Sequence, residues 1–215
     1  MQQLFTKTDK HLIPTLPRYA YEGRIHVVQS ESEAQRAVEA LRHSPLLGID
    51  TETRPTFHRG ETHQVALLQV ADDNACFLFR LNQIGLPPCV SSLLSDPNVT
   101  KVGLSLKDDL LMLRRRDDSF HPSGWVELQD MARRMGIEDM SLQKLYANVF
   151  RKRISKSARL TNWEADVLSD SQKTYAATDA VTCLHLYRAL KNLGETRDYS
   201  LITPTTPTTA ETTPQ

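Results

Sequence analysis

Two short acidic segments contain the side chains best suited to chemistry in this chain. The first, Asp50-Thr51-Glu52-Thr53, directly follows the apolar run 46–49, which predicts a buried strand. Because side chains alternate along a strand, Asp50 and Glu52 lie on the same side of the chain. Two adjacent carboxylates repel each other unless a positive charge lies between them. A hard divalent cation, which prefers oxygen ligands, is the simplest such charge. A solvated surface pair is the alternative.

The second segment contains Tyr175 and Asp179, which lie four residues apart on a predicted helix and therefore share one face. The same face continues as an apolar stripe through Cys183, Leu186 and Leu190. An aspartate on a stripe that faces the core requires a positive partner, because burial of an unpaired carboxylate is costly. The alternative is a tyrosine–aspartate hydrogen bond that supports the core.

A further acid lies where a predicted strand ends at Gly103 and a helix begins. At about 100° per residue, Asp109 falls at the edge of the apolar face that is formed by Leu106, Leu110 and Leu113. Asp108 points away from that face, where an acid in a first helical turn is favoured by the helix dipole. Asp109 is therefore the better candidate ligand.

Four inward-facing acids cannot all ionise in a dry pocket without counter-charge. Two divalent ions about 3.5–4 Å apart would neutralise them and hold the attacking and leaving oxygens of a phosphoryl displacement. Ligation by oxygen alone favours Mg²⁺ or Mn²⁺ over zinc. Tyr175 is placed to orient the attacking water, and its ordinary pKa near 10 makes it a poor free base at neutral pH.

The surrounding pattern predicts one α/β domain over residues 23–200. Three apolar runs with short links, which begin at residues 46, 63 and 75, predict an antiparallel meander. Strands then alternate with helices, which predicts parallel additions to a mixed sheet with flanking helices. Ser169 and Gln172 predict a capping box at the start of the last helix, and Gly194 predicts its end. Residues 1–22 are expected to form a mostly irregular arm, and residues 201–215 a disordered Thr/Pro-rich tail.

Composition limits the class of protein. The chain has 215 residues, enough for one substantial domain, and Lys+Arg and Asp+Glu balance at 26 each, so net charge indicates no partner. The polar N-terminus predicts no signal peptide, and no run approaches the ~20 apolar residues of a membrane span. Three widely spaced cysteines, Cys76, Cys89 and Cys183, predict buried free thiols and a cytoplasmic location.

Basic residues cluster in a segment without acids, and the candidates for nucleic-acid binding are Arg151, Lys152, Arg153, Lys156 and Arg159. A solvated face is the ordinary interpretation of such a run. Beside a phosphodiester-cleaving site it would instead track the phosphate backbone. Trp163, a short distance further on, has two interpretations, base stacking and core packing, of which packing is favoured.

At this point the chain resembles the DnaQ-like 3′–5′ exonucleases of the DEDDy type, in the ribonuclease D and Werner exonuclease branch. The similarity spans about residues 48–190 and rests on the ordered segments 48–52, 101–109 and 175–179, with further similar text at 63–70 and 162–163. The resemblance implies a ribonuclease H-like fold. It also implies that two metal ions are held by Asp50, Glu52, Asp109 and Asp179, and that Tyr175 positions the water. The substrate would be a single-stranded 3′ end of DNA or RNA, and the products would be nucleoside 5′-monophosphates.

Two departures from the family pattern accompany this resemblance. Leu104 stands where many ribonuclease D-like members carry a polar residue. The segment after the predicted nuclease domain is expected to be a disordered tail, where ribonuclease D carries helical substrate-binding domains. A catalytically silent nucleic-acid-binding module on the same fold is the first alternative. A haloacid-dehalogenase-type phosphatase, suggested by Asp50-Thr51-Glu52-Thr53 after a strand, is the second. The sequence indicates no protein partner.

Overall fold

The computed structural model of the protein describes residues 1–58 and 60–203. Its strands are β1 Gln2–Phe5, β2 Arg24–Val28, β3 Leu46–Thr53, β4 Val65–Ala71, β5 Ala75–Phe79, β6 Thr100–Gly103, β7 Trp125–Glu127 and β8 Tyr199–Ile202. Its α-helices are α1 Glu31–Leu41, α2 Leu81–Ile84, α3 Pro88–Ser95, α4 Leu106–Arg114, α5 Leu128–Arg134, α6 Leu142–Phe150 and α7 Asp170–Thr196.

The main sheet has six strands in the order β2-β5-β4-β3-β6-β7. Strands β3, β4 and β5 pair antiparallel to their neighbours in the chain. Strands β2, β6 and β7 each pair parallel to a neighbour. The predicted α/β class, with a meander followed by parallel additions, is therefore confirmed.

Helices cover both faces of this sheet, and the side chains of its central strands alternate between two hydrophobic cores. On one face, buried side chains of α5, α6 and α7 pack against Leu67, Ala71 and Leu78. On the other, α1, α3 and α4 pack against Ile49, Leu68 and Val70. The period of two along β3 and β4 thus decides which side chains face α7.

The long helix α7 begins as predicted but ends later. Ser169 and Gln172 form a complete capping box at its start. The predicted end at Gly194 is wrong, because the helix continues to Thr196 and Arg197 adopts the left-handed conformation at its C-cap, with φ 57°. Backbone hydrogen bonding to the preceding turn and the packing of Leu193 extend the helix past the glycine.

The N-terminal arm is more ordered than predicted. Strand β1 pairs in parallel with β8, and the N-terminal amine lies 3.0 Å from the Asp198 carboxylate. The predicted tail boundary at residue 201 therefore falls inside a strand, while the rest of that predicted tail, 204–215, lies outside the described residues. A strand pair formed by residues almost two hundred positions apart has no local sequence signal.

Two of the three cysteines are buried free thiols, Cys76 and Cys183, and Cys89 is partly exposed. Within residues 1–58 and 60–203, the model contains no helix that combines the length and apolar character needed to cross a membrane.

Candidate active site

Strand β3 carries Asp50 and Glu52 on the sheet face that α7 covers. Ile49, which precedes Asp50, belongs to the opposite core, so the two carboxylates share the α7 side. The pairing with β4 shifts register between Glu52 and Thr53. Glu52 is only 8% exposed, although it lies at the point where the chain leaves regular pairing.

Helix α7 approaches β3 very closely at Gly48. A Cβ atom added to this glycine would lie 2.1 Å from the carbonyl oxygen of Ala180, a distance that no side chain tolerates. Glycine is therefore required for this contact. Because Ala180 directly follows Asp179, the contact brings Asp179 next to Asp50.

The result is a cluster of three carboxylates, Asp50, Glu52 and Asp179. One oxygen of each lies within 4.8 Å of the other two. Asp109 lies beside this cluster, and the Thr51 hydroxyl donates a hydrogen bond to its Oδ1 at 2.5 Å. The structure thus brings three of the four predicted ligands together. The fourth, Asp109, is hydrogen-bonded to Thr51, the residue between Asp50 and Glu52.

Burial raises the pKa of all four predicted ligands. Burial, with the charges of Asp179 and Asp109, raises the pKa of Glu52 to about 9. Burial raises the pKa of Asp179 to about 7 and that of Asp109 to about 6. Burial and the three neighbouring acids raise the pKa of Asp50 well above its ordinary value. Carboxyl groups that resist ionisation to this extent are typical of functional sites and of sites that hold a cation.

Tyr175 is held against this cluster by Trp163. The Trp163 side chain is fully buried, and its ring centroid lies 5.9 Å from that of Tyr175. The packing interpretation of Trp163 is therefore confirmed. Burial and the charges of Asp179, Glu52 and Asp50 raise the pKa of the Tyr175 hydroxyl, so this group remains protonated.

Helix α4 is oriented by Glu127, a residue that the sequence analysis missed. Its carboxylate accepts hydrogen bonds from the backbone N–H groups of Ser105 and Leu106 at 3.0 and 2.8 Å. Ser105 itself has φ 64° and provides no side-chain cap. Asp108 is exposed and Asp109 is partly buried, which confirms the predicted helical face. No local pattern indicates Glu127, because the cap comes from a strand 22 residues away.

A cavity of about 310 Å³ opens over the carboxylates. Its floor includes the three clustered acids, with Tyr175 and Cys183 from α7. Its rim includes the first turn of α6 and the basic side chains of Lys156 and Arg159. Acids at the base and bases at the rim suit a substrate that carries both a metal-binding group and further negative charge.

A family model described as 3′-5′ exonuclease matches residues 25–195, most of the chain. The chain belongs to the 3′-5′ exonuclease family. It is 34% identical over 198 residues to a 3′-5′ exonuclease of Arabidopsis thaliana, which covers 82% of this chain and 67% of that protein. It is 32% identical to the bifunctional 3′-5′ exonuclease/ATP-dependent helicase WRN of Mus musculus over 83% of this chain and 13% of that protein. The chain therefore spans a small part of WRN.

Solved structures agree on the exonuclease fold. The Nibbler EXO domain of Aedes aegypti superposes with a TM-score of 0.75 at 20% identity, covering 85% of this chain and 95% of that one. The predicted resemblance to the ribonuclease D and Werner exonuclease branch is confirmed by the family and by these relatives. The phosphatase alternative is contradicted by the same match.

The five basic residues predicted in this exonuclease domain divide into two groups. Lys156 and Arg159 line the cavity and are exposed. Arg151, Lys152 and Arg153 instead contact the N-terminal arm. These three lie outside the cavity wall, so the structure places only two of the predicted residues beside the carboxylates.

The contacts of the arm-facing group are specific. The Arg151 guanidinium donates to the Gln3 carbonyl at 2.7 Å and lies 4.5 Å from the Phe5 ring centroid. The Arg153 guanidinium donates to the Leu16 carbonyl at 3.1 Å, and its backbone pairs with the arm at Arg18. The sequence could not indicate these contacts, because the arm and the basic segment are far apart in the chain.

The carboxylates fit a divalent metal ion, on which this exonuclease family depends. The cluster offers only oxygen atoms, the donors that hard cations prefer. In the part of the chain that the structure describes, buried Asp179 Oδ1 has no hydrogen-bond partner. A buried carboxylate oxygen without a donor is costly, and a bound cation would satisfy it.

Proposed function

We propose that this chain is a metal-dependent exonuclease that removes nucleotides from the 3′ end of DNA or RNA and releases nucleoside 5′-monophosphates. The observation that carries the proposal is the cluster of Asp50, Glu52 and Asp179 at the floor of a cavity with a basic rim. Family membership supports the direction of cleavage, because the matching model describes 3′-5′ exonucleases.

Asp50, Glu52 and Asp179, with Asp109 beside them, are the residues proposed to hold two Mg²⁺ or Mn²⁺ ions. Such ions, when bound, stabilise the attacking and leaving oxygens of a phosphodiester hydrolysis. The protein's own contribution is to hold four carboxylates on two rigid elements, β3 and α7, and on the capped helix α4. Rigid placement of this kind supplies much of the catalytic effect.

Tyr175 is proposed to orient the attacking water. Its hydroxyl remains protonated in this acidic environment, so it acts as a hydrogen-bonding group rather than as a base. The contact with buried Trp163 restricts the phenol ring. Lys156 and Arg159 are proposed to contact the phosphates next to the scissile bond, from the rim of the cavity.

A single-stranded end is the proposed substrate form. Phe57 and Leu160 are 75% and 62% exposed and line a second cavity of about 220 Å³ together with Arg54 and His58. Exposed apolar side chains beside the Arg54 guanidinium suit unpaired bases, which stack without regard to sequence. Leu160 directly follows Arg159, which lines the active-site cavity.

A nucleic-acid substrate is consistent with the structural neighbours. The RNase D of Trypanosoma brucei, solved in complex with RNA U12, superposes with a TM-score of 0.68 at 22% identity. That complex concerns the trypanosome protein. For this chain, we leave both DNA and RNA as proposed substrates, because discrimination depends on contacts to the 2′-hydroxyl.

The proposal is tested with 5′-labelled single-stranded and recessed DNA and RNA, in Mg²⁺, Mn²⁺ or EDTA. We expect a ladder of 3′-shortened products and free nucleoside 5′-monophosphates, both abolished by EDTA. Asp109→Asn should abolish the ladder, and Asp108→Asn, which changes an exposed acid one residue away, is the matched control. Binding without a ladder on any substrate would instead support the catalytically silent module.

A further inference from the structure

Gln69 lies in β4, the strand that pairs with β3 beside the proposed metal site. Its side chain is fully buried. Its Cα pairs with that of Asp50 across the antiparallel β3–β4 ladder. Within the described residues, neither Nε2 nor Oε1 of its amide has a hydrogen-bond partner.

Apart from Asp50, the strand residues next to Gln69 on this sheet face are apolar. Along β4 the residues that share its sheet face are Leu67 and Ala71, and its partner on β5 is Leu78. Directly opposed residues of an antiparallel pair project from the same face, with Cβ atoms about 4.5–5.5 Å apart. The register therefore places Asp50 within reach of the long glutamine side chain.

A buried amide without partners lowers stability, since its desolvation is not repaid. An unbranched apolar side chain of similar length would fill this position at lower cost to folding. A core position that holds a glutamine at the expense of stability therefore requires another explanation, such as a buried water or a role in a functional site.

We propose that Gln69 is a positioning residue for the metal site, whose amide N–H donates to one buried water that in turn donates to the Asp50 carboxylate. This bond holds one oxygen of Asp50 towards the sheet and leaves the other to face the cavity. A water in this place would also satisfy Oε1, since it can donate to the amide and to the carboxylate together. The inference rests on the proposed function, in which Asp50 is a metal ligand.

The test compares Gln69→Met with the control Leu78→Met, which changes the neighbouring residue on the same sheet face. The readout is the rise in Tm as Mn²⁺ is titrated into the full chain, beginning from EDTA-treated protein. For Gln69→Met we expect the Mn²⁺ concentration at half-maximal effect to rise about 10-fold or more, as is typical when a partner of a metal ligand is removed. Its Tm in EDTA should equal or exceed that of the wild type. Leu78→Met should keep the wild-type Mn²⁺ response.

An unchanged Mn²⁺ response in folded Gln69→Met would overturn the proposal, and a lower Tm in EDTA with that unchanged response would assign Gln69 to the core alone. If Gln69→Met does not fold, the proposal is tested by NMR of the wild-type protein. The side-chain amide resonances of Gln69 should shift when diamagnetic Mg²⁺ is added, and resonances that stay in place contradict the inference. If the wild type responds to neither Mn²⁺ nor Mg²⁺, the proposed metal-dependent function is itself contradicted. This result differs from failure of the Gln69 inference alone, in which the wild type still responds to metal.

Discussion

Two buried aspartates, Asp139 and Asp179, meet opposite environments in this molecule. Asp139 is 1% exposed and accepts hydrogen bonds from the Thr8 backbone N–H at 3.0 Å and from Asn148 Nδ2 at 3.3 Å. The Thr8 hydroxyl also donates to it. Asp179 is 7% exposed, and among the described residues its Oδ1 has no donor.

The difference separates a carboxylate that stabilises the fold from one that is proposed to bind a metal ion. The bonds to Asp139 join the N-terminal arm to α6 and compensate the desolvation of its charge. Asp179 lies next to Asp50 and Glu52, and burial raises its pKa to about 7. Native cores rarely tolerate such a group without a functional reason.

Asp179→Asn should produce the largest effect on activity. We expect a loss of about 10³-fold or more in kcat, because the variant removes a ligand of the group that stabilises the transition state. Its Tm in EDTA should be equal to or higher than that of the wild type, since the neutral amide removes repulsion from Asp50 and Glu52. Nuclease assays and thermal unfolding measure both. A marked fall in Tm in EDTA would show that Asp179 supports the fold as Asp139 does.

Asp139→Asn should show the reverse behaviour. The amide places an N–H group against the donors of Thr8 and Asn148, so we expect the free energy of unfolding to fall by about 2–3 kcal/mol. The kcat per folded molecule should stay within a factor of about two, because Asp139 lies outside the cavity. Urea unfolding followed by assay below the transition separates the two quantities. A large loss of kcat in the folded variant would break the comparison.

Metal-free protein should lose stability as pH rises from about 4 to 9. The pKa values of Asp179 and Glu52, about 7 and about 9 when folded, lie above their ordinary values of 3.8 and 4.5. The folded state therefore binds more protons than the unfolded state in this window. The stabilisation that each protonated carboxyl group contributes is fully present below its ordinary pKa and is lost as the pH rises through its raised pKa. Thermal unfolding in EDTA across this range tests the sign. In Asp179→Asn the fall in Tm with pH should be shallower than in the wild type. An equal fall would mean that groups other than Asp179 cause it.

Lys156→Ala and Lys152→Ala should differ, although the two lysines lie four residues apart. Lys156 lines the cavity over the carboxylates, whereas Lys152 lies 5.9 Å from the Tyr19 ring centroid in the arm. We expect Lys156→Ala to weaken nucleic-acid binding about 3- to 10-fold at low salt and to reduce the salt dependence. Lys152→Ala should leave affinity unchanged. Fluorescence anisotropy across a salt series measures both, and equal effects would mean that the whole basic segment contacts the substrate.

Local patterns were sufficient for much of the fold. Period-two alternation along β3 put Asp50 and Glu52 on the same side of the strand, and helical periodicity separated Asp109 from Asp108. The capping box at Ser169 indicated where α7 begins. These features depend on residues within one or two turns, or within one strand, so they can be read without knowledge of the packing.

Contacts between distant segments were not predictable in this way. Examples are the β1–β8 pair, the arm contacts of Arg151 and the cap that Glu127 provides to α4. In each case one partner comes from a part of the chain with no neighbouring signal, and the pairing exists only after the sheet has formed. The later end of α7 likewise follows from packing, which outweighs the weak helix preference of Gly194.

The sequence by itself determined the chemical types at the site, namely Asp50, Glu52, Asp109, Tyr175 and Asp179, and the elements that carry them. Residue type and local periodicity are properties of the chain. Only the tertiary structure decided that Asp179 would lie beside Asp50, because this depends on α7 approaching β3 at Gly48. It also decided which basic residues face the cavity, and that Gln69 would be buried opposite Asp50, because distance and burial arise only when separate elements pack together.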